Sequence, residues 1–162
     1  MYMSQSTYDK LNDFLRECFQ MNSFCDNVAY NMSALTMINT ENLFHEKFAH
    51  AFPGFADQVS GLMVRMNAIP MRKQLSSNCD VYCDWRACFA DLIKASEQYR
   101  QSIIEVIECA DLNGDLEIKI FMEKFLLTFL EYLYQANVWY KKSEEYGCGT
   151  DFDQDFASFT FI

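Results

Sequence analysis

Apolar side chains recur at intervals of three and four residues through most of this chain, and this spacing restricts the fold more than any other feature. A repeat near 3.6 residues predicts helices that each bury one face. The first such segment spans about residues 6–35, with Ser6 or Thr7 as its expected N-cap. Its stripe consists of Leu11, Leu15, Cys18, Met21, Cys25, Val28, Met32 and Leu35.

Three further segments show the same period, at about residues 40–69, 84–110 and 116–146. Thr40 is the expected N-cap of the second helix, and Pro53-Gly54 predicts a kink or a wider turn within it. Only 5 Gly and 2 Pro occur in the 162 residues, so little else interrupts the helical patterns.

The four segments together predict an all-α fold, a four-helix bundle over residues 1–146. Residues 71–83 lack a clear period and form a long connection between the second and third helices. The segment 147–162 alternates acidic and aromatic residues. We expect it to form a tail that packs on a neighbouring surface or stays mobile.

The chain is acidic, with 23 Asp and Glu against 13 Lys and Arg and a formal net charge of −10. Binding to a bare phosphate backbone needs clustered basic residues. The N-terminal segment offers only Lys10, and the densest basic cluster is Arg65, Arg72 and Lys73. We therefore expect no DNA binding. No apolar run approaches the ~20 residues of a membrane span, so no membrane partner is expected either.

Seven cysteines occur, at positions 18, 25, 79, 83, 88, 109 and 148, without a Cys-x-x-Cys pair or a signal peptide. Cys18, Cys25 and Cys109 fall on apolar helical faces, where a free thiol behaves as a small hydrophobe. The three between positions 79 and 88 lack the tight pairs and histidine partners of a zinc site. The pattern predicts structural thiols in a reducing cytoplasm.

The second segment carries both histidines of the protein, His45 and His50, beside Glu46. In a zinc-protease motif the histidines at i and i+4 share one face of a helix. The second histidine here stands at i+5, so we expect the two rings to lie about a quarter turn apart and reject that motif. A di-iron centre within one bundle needs Glu-x-x-His on two helices, and no Glu-x-x-His occurs.

A lone histidine on an apolar stripe is often a hydrogen-bonded core residue rather than a ligand, and both roles stay open for His45. The turn after the third segment, Asp111-Leu-Asn-Gly-Asp115, superficially resembles a calcium loop. An EF-hand needs Gly at its sixth position and Glu at its twelfth, where this chain has Leu116 and Met122. A plain turn fits better, with Gly114 left-handed at the end of the third helix and Asp115 capping the fourth.

Taken in order, these features resemble the ferritin-like superfamily, and specifically the Dps group of mini-ferritins. Helix two of that group carries Leu-His-Glu followed by Phe, then a Glu-Arg pair some nineteen residues on, and then Pro. This chain has Phe44-His45-Glu46-x-Phe48, then Val64-Arg65, then Pro70. Tyr99, the Gly114-Asp115 turn and Leu130-Glu131-x-x-Tyr134 fall where the group shows similar residues. Ferritin-type bundles also place their one long crossover between helices two and three.

The resemblance implies a homo-oligomeric shell of twelve subunits that oxidises and stores iron and protects against oxidative stress. Its iron centre lies between two subunits, with two His from one and an Asp and a Glu from the other. Only His45 matches this set, because the other positions fall on Ser33, Ser60 and Val64.

Two nearby carboxylates, Glu46 and Asp57, can substitute for the missing ligands if the helix register shifts around Pro53-Gly54. Asp111 and Asp115 match the acidic turn that lines three-fold pores in the Dps group, although plain turn and cap roles explain them equally well. We therefore expect an iron-binding shell with a largely incomplete ferroxidase centre at His45, Glu46 and Asp57. The alternative is a non-enzymatic oligomeric shell or scaffold that keeps the fold and has lost iron oxidation.

Overall fold

The computed structural model describes residues 1–147 and 149–162, and every regular element in these ranges is a helix or a helical turn, which confirms the predicted all-α class. Helix α1 spans Gln5–Ala34, α2 spans Ile38–Phe44, and a π-helical turn at His45–Ala49 leads into α3 at Ala51–Arg65. The remaining elements are α4 (Trp85–Asn113), α5 (Leu116–Tyr146), α6 (Thr150–Asp155) and a 3₁₀ turn (Phe156–Phe159). The segment from α2 to α3 acts as one bent helix, so α1, α2–α3, α4 and α5 form a bundle of four.

Side-chain contacts fix the direction of each helix. Near one end of the bundle the Nζ atom of Lys10 lies 2.7 Å from Glu105 Oε2, and further along the Cys18 thiol lies 3.2 Å from the Tyr99 hydroxyl. Because these pairs join early residues of α1 to late residues of α4, the two helices are antiparallel. Phe48 packs against Trp139 and Phe55 against Phe125, so the second bundle helix is antiparallel to α5. The tight turn at Gly114 makes α5 antiparallel to α4 as well, and the four bundle helices therefore run up, down, down and up.

The up-down-down-up order requires a long connection, and residues 66–84 provide it by running back along α1. Three polar side chains of α1 accept hydrogen bonds from backbone N–H groups of this segment. These bonds join Met71 to Asn12 at 2.7 Å, Ser76 to Gln20 at 2.8 Å and Tyr82 to Asn31 at 2.9 Å. The connection thus replaces helical hydrogen bonds with bonds to α1, which positions it without a regular structure of its own.

The helix starts differ from the sequence prediction. Ser4, rather than Ser6 or Thr7, caps α1, and its Oγ accepts the Thr7 N–H at 3.2 Å. Helix α2 begins at Ile38, so Thr40 lies inside it instead of capping it. The Thr40 N–H is satisfied by Asp153 Oδ1 at 2.8 Å. The cap of α2 therefore comes from the C-terminal segment, which a local sequence motif cannot reveal.

The widened turn of the second bundle helix lies at His45–Ala49, not at Pro53-Gly54 as predicted. Pro53 falls in the first turn of α3, where a missing N–H leaves no helical bond broken. Its ring would press on the carbonyl of Ala49, four residues back, if the preceding turn were α-helical. Widening the turn before Pro53 removes this conflict and lets the helix continue.

The C-terminal segment packs on the end of its own bundle. Phe152 and Phe156 are completely buried, and Phe156 stacks on Trp139 of α5 with ring centroids 5.0 Å apart. The Trp139 indole N–H donates to Thr160 Oγ1 at 3.1 Å. Phe152, Phe156 and Phe159 of this segment therefore belong to the hydrophobic core, while Cys148, within the predicted tail, lies outside the described residues.

The six cysteines in the described ranges are free thiols: three are buried, two are exposed, and Cys109 is partly buried. Cys18, Cys25 and Cys88 are buried, and burial raises the pKa of Cys18 and Cys88 to about 12. Cys79 and Cys83 are exposed on the connection. The prediction that Cys18 and Cys25 act as small apolar core residues is confirmed. Along the described helices we find no segment with the length and apolarity needed to cross a membrane.

Candidate metal site

His45 lies where the π-helical turn packs against α1, and it pairs with a carboxylate of that helix. Its Nε2 atom is 3.2 Å from Asp26 Oδ1, and the two side chains are 35% and 29% exposed. The other oxygen of Asp26 accepts a hydrogen bond from Asn22 Nδ2 at 3.4 Å. His45 is thus a half-buried, hydrogen-bonded residue whose ring remains accessible from one side.

Asp26 was missed by the sequence analysis because no spacing rule connects it to His45. The two residues stand on different helices, 19 positions apart in the chain. Asp26 directly follows buried Cys25 at the edge of the α1 stripe. A carboxylate beside the apolar face was the only available signal, and many solvated acids share it.

The second histidine lies closer to the first than the sequence predicted. The His50 N–H donates to the His45 carbonyl at 3.1 Å, which is the i to i+5 bond of a π-helical turn. The two imidazole centroids are 4.3 Å apart, with their planes at 60°. The expectation of a quarter-turn separation is therefore wrong, because it assumed α-helical geometry. His50 is exposed, whereas His45 is partly covered by α1.

The structure does not bring the other two predicted ligands to the histidine pair. Glu46 is adjacent in sequence but exposed, and it lines a surface pocket together with Asn42 and Asp153. Asp57 is exposed on α3, twelve residues beyond His45, and twelve residues of helix span roughly 18 Å. Asp57 therefore cannot share a metal ion with His45 of the same chain.

The region around Asp57 forms a small pocket of about 90 Å³ between α1, α3 and the connection. Ser60 lines it and donates from Oγ to the Asp57 carbonyl at 3.2 Å. Arg72 also lines it, with its guanidinium carbon 3.6 Å from the centroid of the Phe19 ring. A cation bound beside Asp57 would meet the positive charge of Arg72, so this pocket by itself is a poor cation site.

The positions where the Dps resemblance expects ligands are otherwise apolar or hydroxylated. Ser33 is exposed near the end of α1, and Val64 is 62% exposed near the end of α3.

The two acidic residues of the expected pore, Asp111 and Asp115, form hydrogen bonds within the chain. Asp111 accepts a hydrogen bond from Lys119 Nζ at 2.7 Å.

The Asp115 side chain does not cap α5 as predicted; it binds Ser4, the N-cap of α1. It stands at the N-cap position of α5 but makes no side-chain bond to that helix. Its carboxylate instead accepts the Ser4 N–H at 3.0 Å and the Ser4 hydroxyl at 2.7 Å, at the start of α1. The prediction for Gly114 is confirmed, since it ends α4 with φ of +73°. Asp115 is only 8% exposed, so lining a pore would require it to leave Ser4.

Asp26, His45 and His50 supply the donor types that iron and other first-row metals accept, namely imidazole and carboxylate. They are arranged as a contacting pair with a third ring beside it. In residues 1–147 and 149–162, no three His, Cys, Asp or Glu side chains converge closely enough to hold a metal ion. Within the described residues, Asp26, His45 and His50 therefore do not form a complete metal site.

Compared with known proteins, the chain matches no protein-family model. No curated protein is significantly similar to it in sequence either.

Proposed function

We propose that this protein is a Dps-like, ferritin-type subunit that assembles with copies of itself and binds iron through His45, His50 and Asp26. The observation that carries the proposal is the π-helical turn. It holds the only two histidines of the chain with their ring centroids 4.3 Å apart, beside the carboxylate of Asp26. Such turns are uncommon and occur frequently at functional sites. Two imidazoles with one carboxylate form the donor set typical of ferrous iron.

The bundle topology supports the family part of the proposal. Four long helices run up, down, down and up, and their one long connection joins the second to the third. Ferritin-type bundles combine this helix order with a metal site on facing helices. The histidine pair occupies the second bundle helix, where the resemblance places His45.

A second subunit is needed to complete the site. The resemblance implies an iron centre between two subunits, and the single chain leaves the ligand set unfinished. Asp57 is exposed on the same helix as the histidines, further towards its C-terminus. In an antiparallel pair of these helices, the partner subunit's Asp57 approaches the histidine pair, and the reciprocal contact forms a second, identical site.

Iron oxidation at such a site is expected to be slow. Rapid oxidation in the Dps group relies on an Asp and a Glu whose positions are Ser60 and Val64 here. With these carboxylates absent, few donors remain to hold iron or to stabilise the ferric product. Iron is the cargo in this proposal, so binding and storage take precedence over catalysis.

The alternative is an oligomeric scaffold without iron chemistry. It is favoured by the positive charge of Arg72 in the pocket beside Asp57, and by the engagement of Asp111 and Asp115 within the chain. Both proposals predict assembly, and only the first predicts that the histidine pair binds a metal.

Titration of the purified oligomer with ferrous iron under anaerobic conditions separates the two functions. We expect saturable binding by the unmodified protein and its loss in the variant His45→Ala/His50→Ala. The matched control is Asn42→Ala, an exposed change one turn before His45. Absence of saturable binding by the intact, correctly folded protein would favour the scaffold.

Aerobic addition of ferrous iron tests the rate. We expect ferric absorbance to rise little faster than in buffer, and to accelerate in the variant Ser60→Asp/Val64→Glu. Fast, saturable oxidation by the unmodified protein would contradict the proposed loss of the ferroxidase centre. The native mass, expected near twelve subunits from the resemblance, tests assembly separately.

A further inference from the structure

Helix α5 carries apolar side chains on two opposite faces. One face supplies the bundle core with Ile118, Met122, Phe125, Phe129, Ala136 and Trp139. The opposite face is exposed and holds Leu116, Ile120, Leu127, Leu130 and Tyr134. Their exposed fractions run from 44% for Ile120 to 68% for Leu127. Single exposed apolar residues are ordinary, but a continuous row of them marks an interaction surface.

The exposed row follows a seven-residue repeat. Together with Glu123, its residues stand at intervals of four, three, four, three and four positions. This alternation places side chains along one seam of a helix, and it lets a second helix pack along the whole length. The six positions fall within roughly a quarter of the helix circumference and extend about 27 Å along the axis. We call these six residues the α5 seam.

Glu123 is the charged residue of the α5 seam. It stands third of the six positions, between Ile120 and Leu127, and its side chain is exposed in the single chain. A helix packed along the seam would cover this carboxylate. A covered charge is costly unless an opposite charge faces it. A partner helix therefore needs a Lys or Arg at the position that meets Glu123.

A second copy of the α5 seam does not supply that charge. When two copies run parallel and in register, Glu123 faces the partner's Glu123. The antiparallel arrangement that matches all six positions sets Leu116 against the partner's Tyr134, and it sets Glu123 against the partner's Leu127. Both arrangements leave the carboxylate without an opposite charge, so a different helix fits the seam better.

The charges around the α5 seam also favour a basic partner. Glu117 and Glu131 are exposed beside it, with Lys124 between them. Lys119 is already paired within the chain, since its Nζ lies 2.7 Å from Asp111 Oδ1. The whole chain carries a net charge of −10, which attracts a basic helix and repels an acidic one at long range.

We propose that the α5 seam binds one amphipathic helix of a different protein, with an apolar stripe along the seam and a Lys or Arg opposite Glu123. Amphipathic helices are commonly recognised through apolar anchors spaced three and four residues apart. The seam lies on α5, whereas His45 and His50 belong to the π-helical turn and the residue after it. Loss of helix binding and loss of iron binding are therefore separate results, and either proposal can fail while the other holds.

Synthetic peptides, followed by fluorescence anisotropy, test the proposal on the intact protein. Each peptide has six leucines spaced as in the α5 seam, with lysines on both flanks so that its copies repel one another. In one peptide lysine replaces the third leucine, and in another it replaces the fourth, which meets Glu123 in a parallel or an antiparallel complex respectively. We expect one of them to bind at least tenfold more tightly than the same peptide with glutamate at that position.

Charge reversal tests the role of Glu123 itself. In Glu123→Lys the preference should invert, so that the glutamate peptide binds more tightly than the lysine peptide. Circular dichroism checks that the variant folds. Binding of none of the peptides, equal affinity for the lysine and glutamate peptides, or an unchanged preference in Glu123→Lys would overturn the proposal.

Substitution within the α5 seam tests where the peptides bind. Ile120→Gln/Leu127→Gln keeps the net charge and should weaken binding about 100-fold, because it removes two central anchors. The matched control is Tyr30→Gln/Ile38→Gln, which changes exposed apolar residues of α1 and α2 and should leave the affinity unaltered. Equal binding by both variants contradicts the proposal. So does a lower mass of the assembly in Ile120→Gln/Leu127→Gln, because a second copy would then occupy the seam.

Discussion

The backbone N–H of His50 donates to the carbonyl of His45 at 3.1 Å, and the centroids of their two imidazole rings lie 4.3 Å apart. The bond spans five residues rather than four, so the helix is locally wider than an α-helix. Pro53 follows within one turn, and its ring would clash with the carbonyl group of Ala49 if this part of the helix were α-helical. We infer that the proline maintains the π-helical turn and, through it, the histidine pair.

Replacing this proline is expected to affect metal binding without touching a ligand. In Pro53→Ala, an N–H becomes available to Ala49 and the second bundle helix can adopt a continuous α-helical register. The two rings then separate, and ferrous-iron affinity falls about tenfold, which corresponds to ~1.4 kcal/mol. Anaerobic titration measures the change, with Pro70→Ala in the connection as the control. An unchanged affinity in Pro53→Ala would show that the turn does not depend on the proline.

The bond between Asp115 and Ser4 joins the start of α1 to the turn between α4 and α5 across 111 positions of sequence. We expect Asp115→Ala to lower the free energy of unfolding by about 1–3 kcal/mol, because the Ser4 N–H and hydroxyl lose their acceptor in a nearly buried site. Urea unfolding followed by circular dichroism measures the loss. Asp111→Ala is the control, since Asp111 is exposed and its partner Lys119 stays solvated. A loss as large for Asp111→Ala would contradict a specific stabilising role of the bond between Asp115 and Ser4.

The C-terminal segment is expected to be required for the stability of the bundle. Phe156→Ala removes a completely buried ring that stacks on Trp139, and we expect it to cost about 3–5 kcal/mol in unfolding free energy. Tyr30→Ala, an exposed aromatic change on α1, should stay within about 0.5 kcal/mol of the unmodified protein. Chemical denaturation gives both values. A Phe156→Ala variant as stable as the Tyr30→Ala variant would mean that the segment packs only loosely.

The buried thiols predict a loss of stability in alkaline solution. Burial raises the pKa of Cys18 to about 12, whereas an unfolded thiol titrates near 8.5. Between these values the folded protein keeps a proton that the unfolded chain has released. Stability from this group is therefore complete below the unfolded pKa and falls as the pH rises, by up to ~1.4 kcal/mol per pH unit.

Unfolding measured between pH 8 and pH 10 tests this coupling. We expect Cys18→Ala to be less pH-sensitive than the unmodified protein. Val28→Ala, which removes a buried apolar group from the same helix, should lower stability without changing the slope. Thiol reagents should modify Cys79 and Cys83 in the folded protein and reach Cys18, Cys25 and Cys88 only after unfolding. Equal slopes for Cys18→Ala and the unmodified protein would contradict a buried, protonated thiol.

The sequence by itself determined the helices and their buried faces. The stripe from Leu11 to Met32 reappears as the buried face of α1, and Gly114 ends α4 in the left-handed conformation that its position predicts. Both features depend on interactions within a few residues, where the helical period and the freedom of glycine act directly. The long connection could be predicted for the same reason, because the helical repeat of apolar residues is absent from residues 71–83.

Only the tertiary structure decided which residues meet. Asp26 contacts His45 from another helix, Asp115 binds the N-cap residue Ser4 of α1 instead of capping α5, and Asp153 caps α2 from the C-terminal segment. The π-helical turn also depends on tertiary structure, because it has to accommodate Pro53 and pack against α1 at the same time. Contacts between distant segments follow from how the helices are arranged in the bundle, and a pattern with a period of 3.6 residues carries no record of that arrangement.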